Sequence, residues 1–88
     1  MTSHGSQLVF ELQDNGEMFR LFGSYDENLA LLEDALDVKI VARGKDLTVS
    51  GGSVELRTAK AVIEHLLHQA RSGQKVTAHD VRYAVRAA

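Results

Sequence analysis

Residues 38–50 constrain the fold class more tightly than any other part of the chain. Val38-Lys39-Ile40-Val41-Ala42-Arg43 and Leu47-Thr48-Val49-Ser50 are rich in β-branched residues and alternate in polarity, which is the pattern of strands with one buried face. Between them, Gly44-Lys45 is a two-residue connection with glycine first, a fit to a type II′ turn closing an antiparallel hairpin. That register sets Ala42 opposite Leu47 and Ile40 opposite Val49 on the core side, and Arg43 opposite Asp46 on the other. An apolar sheet face must be covered, and the flanking sequence is helical, so the chain reads as α+β.

The cover comes mainly from residues 54–72. Ala59, Val62, Ile63, Leu66, Leu67 and Ala70 form a wide apolar stripe at helical spacing, closed by Gly73. A shorter helix is expected over 26–36, with Leu29, Leu32, Ala35 and Leu36 inward, Glu33, Asp34 and Asp37 in water, and Ser24 to Glu27 as a capping box. Thr77-Ala78-His79-Asp80 opens a last helix, about 78–87, with Val81, Ala84 and Val85 inward and Arg82 and Arg86 outward. At the start, Leu8, Phe10 and Leu12 alternate with polar residues and read as a first strand over 8–13. Residues 15–22 admit two readings. Asn15-Gly16 is a hairpin signal pairing Phe10 with Leu21, whereas Asp14 and Glu17 with the stripe Met18, Phe19 and Phe22 and a Gly23 cap make a helix.

With 88 residues, 44% of them hydrophobic and 25% charged, the chain has the size and composition of one ordinary globular domain. Residues 1–7 are read as a leader and 8–88 as the domain. The chain has no cysteine, so it offers neither a disulfide nor a thiolate metal site, which is compatible with the reducing cytoplasm expected for it. No apolar run approaches the length needed to cross a bilayer. The net charge of −2 conceals an asymmetry: residues 1–38 hold one base against eight acids, and residues 39–88 nine bases against four acids. The basic half could meet nucleic acid, but internal or domain–domain compensation is the favoured reading.

Gly23-Ser24-Tyr25-Asp26-Glu27-Asn28-Leu29, a helix, Val38-Lys39-Ile40, a tight turn, Leu47-Thr48-Val49-Ser50-Gly51 and a long helix together resemble a type I KH domain. The resemblance implies a β-α-α-β-β-α order, here with an added C-terminal helix, and a three-stranded sheet covered by helices on one face. It tips residues 16–22 towards helix. It also implies a GxxG loop clamping the backbone of single-stranded RNA. The region preceding the ATPase of PhoH-like proteins is similar more closely still, at Phe22-Gly23, Asp26-Glu27-Asn28-Leu29, Arg43-Gly44, Val49-Ser50-Gly51 and Thr77-x-x-Asp80-Val81. That resemblance implies a C-terminal P-loop ATPase domain as a partner in the same protein, with ATP and Mg as that domain's cofactors.

The chain itself lacks such an engine. A phosphate-binding loop requires G-x-x-x-x-G-K-[ST], whereas Gly44-Lys45 is followed by Asp46 and Lys39 stands where the first glycine belongs. By resemblance, the nucleic-acid candidates are Gly23, Ser24 and Tyr25 in the loop, with Tyr25 free to stack on a base, and Lys39, Arg43 and Lys45 as the opposite groove wall. Asp26 occupies the second glycine position and Glu27 follows it. Carboxylates there compete with a phosphate for the helix amides and repel it, so a structural cap is favoured over a clamp. His65 and His68 lack further ligands for a metal. Glu33, Asp34 and Asp37 lie on a polar helix face without a nucleophile, so no residue is assigned a catalytic role. The 75–84 segment also looks like the end of a histone fold, which the strands contradict.

The expectation is therefore a non-catalytic KH-like accessory module of a PhoH-like ATP-binding protein, with weak single-stranded RNA binding. Its rival is a protein-interaction or homo-oligomerisation domain without a nucleic-acid role.

Overall fold

Gly44 has φ 58 and Lys45 does not share its positive φ, so the connection is the type II′ turn expected from glycine in the first position. The computed structural model describes residues 6–23 and 26–88. Its elements are β1 (Ser6–Glu11), α1 (Asn15–Phe22), α2 (Glu27–Leu36), β2 (Lys39–Arg43), β3 (Asp46–Gly51), α3 (Ser53–Arg71) and α4 (Ala78–Ala87). The sheet is antiparallel in the order β1-β3-β2, with Leu8 and Ile40 both opposite Val49, and Phe10 and Ala42 both opposite Leu47.

β1 explains why residues 15–22 form a helix. Phe10 lies opposite Leu47 rather than Leu21, and the Leu12 N–H donates to the Lys45 carbonyl at 2.8 Å, so β3 occupies the edge that a local hairpin would have used. The Asp14 carboxylate then accepts from the Glu17 N–H at 2.9 Å and starts α1. The strand begins at Ser6, two residues earlier than expected, because Ser6 and Gln7 continue the ladder opposite Gly51 and Ser50.

α3 buries all six residues of its predicted stripe together with Leu56, and packs them against the Leu47, Val49 and Ile40 side of the sheet. Burial of this kind is the main term holding so small a domain together. The inward faces of the shorter helices differ from expectation. In α1, Leu21 is fully buried while Phe19 is 52% exposed, with Lys75 Nζ 6.0 Å from its ring centre. In α2, Ala35 is exposed and its place in the core is taken by Asn28.

Asn28 is 1% exposed. Its Nδ2 donates to the Leu21 carbonyl at 3.0 Å and to the Val76 carbonyl at 2.7 Å. The Val76 N–H in turn donates to the Arg20 carbonyl at 2.8 Å. These bonds tie the end of α1, the start of α2 and the connection into α4 at one point. A second buried polar group, Glu17, is 2% exposed and meets Arg71 Nε at 3.1 Å, while another Arg71 nitrogen donates to the Glu11 carbonyl at 2.9 Å. α4 opens with the capping box expected of Thr77 and Asp80. The Asp80 carboxylate accepts from the Thr77 N–H and from Gln69 Nε2, each at 2.9 Å. The first of these bonds, then the second, holds the Asp80 carboxyl below its ordinary value of 3.8.

Asn28→Ala leaves two buried carbonyls without donors and should lower the unfolding free energy by about 2–3 kcal/mol, read from urea denaturation. The Asp80 contribution has the sign of a depressed carboxyl. It is present above the unfolded-state pKa and lost as pH falls from about 4 through the lower folded-state value. Urea midpoints measured across acidic pH should therefore fall less steeply in Asp80→Asn than in the parent chain.

Candidate nucleic-acid interface

α2 and β2 are joined by only Asp37 and Val38, and the chain doubles back there. Asp37 adopts a left-handed conformation with φ 56, and Glu33 lies beside Ile40, whose N–H it accepts at 2.8 Å. Glu33 was expected to face water, but its carboxylate caps an amide at the sheet edge. With a rise of about 1.5 Å per residue in the helix and 3.3 Å in the strand, the Glu27 end of α2 returns to the Arg43 end of β2. The start of α2 and the β2–β3 turn therefore lie at the same end of the α2/β2 pair.

The backbone at this edge follows from the turn. Closing a two-residue hairpin makes Arg43 and Asp46 a mutually hydrogen-bonded pair, so Ile40 and Ala42 direct their N–H and C=O groups away from β3. Glu33 satisfies the Ile40 amide. The outward N–H and C=O of Ala42 have no partner among the described residues.

The loop provides the other side. Gly23 has φ 86 and ψ 179, a region essentially reserved for glycine, and its N–H donates to the Phe19 carbonyl at 2.8 Å. Ser24 and Tyr25, both named as site candidates, lie outside the described residues. Asp26 is left-handed with φ 54 and makes no side-chain cap bond, so the expected capping role is not the one it plays. Glu27 approaches the loop instead. A Cβ built on Gly23 would stand 3.1–3.2 Å from the Glu27 side chain, which places that carboxylate over the glycine. Sequence reasoning located the two acids but had no signal for this fold-back.

The predicted opposite wall is divided. Lys39, Val41 and Arg43 alternate with Ile40, so they point to the open face of the sheet, away from the helices. Lys45 is exposed in the turn, just beyond the Arg43 end of β2. Arg43 is opposite Asp46 in register; the ion pair formed among the described residues is Arg71–Glu17. The two helix histidines also part company: His65 lines an apolar hollow with Tyr83 and Ala84, and His68 a cleft with Glu64 and Arg71. Among the described residues there is no group of three His, Cys, Asp or Glu side chains able to hold a metal ion. No described helix is long and apolar enough to cross a membrane.

The fold matches the crystal structure of Dim2p from Pyrococcus horikoshii OT3 with a TM-score of 0.73, covering 96% of this chain and 49% of that one at 14% identity. Dim2p is a KH-fold protein, and the present fold is KH-like. No protein-family model matches the sequence. A PhoH-like protein of Bacillus subtilis (strain 168) is 33% identical over 88 residues, which is 100% of this chain. The chain is a KH-like domain of the PhoH-like family. A PhoH-like protein of Mycobacterium tuberculosis (strain ATCC 25618 / H37Rv) is 38% identical over 65 residues, or 74% of the chain. The chain spans 28% of the Bacillus PhoH-like protein and 18% of the Mycobacterium one.

Gly23→Ala should cost about 1–3 kcal/mol, because alanine resists this backbone conformation and its Cβ meets the Glu27 carboxylate. Gly44→Ala, at a position where a Cβ meets nothing within 4 Å, isolates the backbone cost. Thermal denaturation of both variants separates the two contributions.

Proposed function

We propose that this domain is a non-catalytic accessory module of a PhoH-like protein, holding single-stranded RNA weakly along the β2 edge. The observation that carries the reading is the outward Ala42 amide and carbonyl on the β2 edge that faces α2. A base edge can exchange hydrogen bonds with such groups, and the Gly23 turn admits a close backbone approach. Lys45 supplies attraction for a phosphate at the same end.

The acidic loop sets the strength of the contact. Asp26 and the folded-back Glu27 place negative charge where a phosphate would approach the start of α2, opposing the helix dipole that would otherwise favour it. Binding is therefore dominated by base and edge contacts, with weak dependence on phosphate. On this reading ATP and Mg belong to a P-loop domain outside these 88 residues, and this domain retains the strand on which that domain works. No step of bond making or breaking is assigned here.

The test is a titration of the chain with a short single-stranded RNA at low salt, following backbone amides by NMR. Shifts are expected at Gly23, Asp26 to Asn28 and Ile40 to Lys45 at millimolar RNA. Asp26→Gly and Glu27→Gln should each tighten binding by roughly two- to fivefold. Silence in both segments at millimolar RNA sinks the proposal, and shifts confined to Arg82 and Arg86 move the site to α4.

A further inference from the structure

The two edges of the sheet are treated differently. The β2 edge lies beside α2, has its Ile40 amide capped by Glu33, and carries Lys39 and Arg43. The β1 edge is guarded only at its end, where Arg71 donates to the carbonyl of the charged Glu11. From Ser6 to Phe10 it contains no charged residue, no proline and no bulge, which leaves it without the features that normally prevent strand addition.

The register shows which groups are free. Phe10 and Leu8 direct their backbone groups to Leu47 and Val49, so Gln7, Val9 and Glu11 direct theirs outward. The Arg71 guanidinium donates to the Glu11 carbonyl, which confirms that direction. Among the described residues, the outward N–H and C=O groups of Gln7 and Val9 are unpartnered. Val9 is 64% exposed. Beside this edge, a cleft of about 440 Å³ separates β1 from α3, with Phe10 and Leu67 among its lining residues.

We infer that β1 is a dimerisation edge whose partner is the β1 of a second copy, paired antiparallel across a two-fold axis through Val9. The pairing sets Val9 opposite Val9 and Gln7 opposite Glu11, and uses the outward set on both chains. The carbonyl of Glu11 has a second lone pair for the incoming Gln7 amide. Two features of the open face favour a second copy over an unrelated strand. Val9, Thr48 and Val41 form one row across the sheet, and the two-fold joins it to its equivalent in a continuous row of β-branched side chains with the two valines in contact at the seam. The row ending at the seam in Glu11 holds Asp46 and Arg43, one net negative charge, whereas the row ending in Gln7 holds Lys39 and no acid, one net positive charge. Antiparallel pairing sets each net-negative row end to end with the net-positive row of the other copy. On the helix side, the second copy's Leu8 and Phe10 project towards the cleft between β1 and α3. The interface is isologous, as two-fold association requires, and extends the sheet to six strands.

Sedimentation velocity on the 88-residue chain from micromolar to millimolar concentration tests this inference, with amide shifts and hydrogen exchange of Gln7, Val9 and Glu11 followed over the same range. A monomer–dimer equilibrium is expected, with these amides moving and gaining protection as the dimer forms. Val9→Pro removes an outward N–H while leaving the β1–β3 ladder intact, and should weaken association by at least about tenfold. Val9→Lys, a charged edge residue, should do the same and serves if the proline variant fails to fold. A chain that is monomeric at millimolar concentration overturns the inference. So does a dimer that survives both substitutions, or one that forms without movement of the Gln7 and Val9 amides.

Discussion

The arrangement of the helices depends on one side-chain amide. Asn28 gives both of its N–H donors to main-chain carbonyls, one at the end of α1 and one just before α4. No other side chain of its size serves: leucine would leave both carbonyls buried without donors, and aspartate would set a negative charge against them. Asn28 Oδ1 is buried and has no partner among the described residues. Because Asn28 sits in the first turn of α2, its anchor also determines where the Gly23–Asp26 loop meets that helix. The candidate interface is thus built on a core contact.

Features encoded by neighbours in sequence were legible in advance. The Gly44-Lys45 turn, the register it sets, the apolar stripe of α3 and the Thr77–Asp80 box each depend on residues a few positions apart, where periodicity and capping rules apply directly. Features that depend on distant partners were not. Asn28 looks like a surface residue until Val76 arrives 48 positions later. Glu17 looks like part of a capping pair, yet it is buried against Arg71, 54 positions away. Residues 15–22 carried a sound hairpin signal that lost to β3 as a longer-range partner for β1. Within the candidate site, Gly23, Asp26 and Glu27 were identified from local pattern. The facing of Lys39 and Arg43 followed from strand alternation, but their separation from the loop required knowing which sheet face the helices cover.

A KH-like scaffold and KH-like chemistry are separable here. In the proposed reading, the α2/β2 geometry, the glycine-only backbone at Gly23 and the open Ala42 edge form the groove that would hold a nucleic-acid strand. The carboxylates of Asp26 and Glu27, the second of which folds over Gly23, would alter what that shape attracts, since they carry the same charge as a nucleic-acid backbone. Fold similarity therefore carries the architecture, and the charge at the loop decides how much of the associated function comes with it.

The strand order has a kinetic consequence. β2 and β3 meet across a two-residue turn, and that hairpin with α3 behind it can form from nearby segments. β1 pairs only with β3, so Glu11 must find Asp46 across 35 positions of sequence, and closing so large a loop costs entropy before any contact offsets it. The first strand of the chain is accordingly a late arrival in folding. Loop-closure entropy thus favours the hairpin forming before this strand docks.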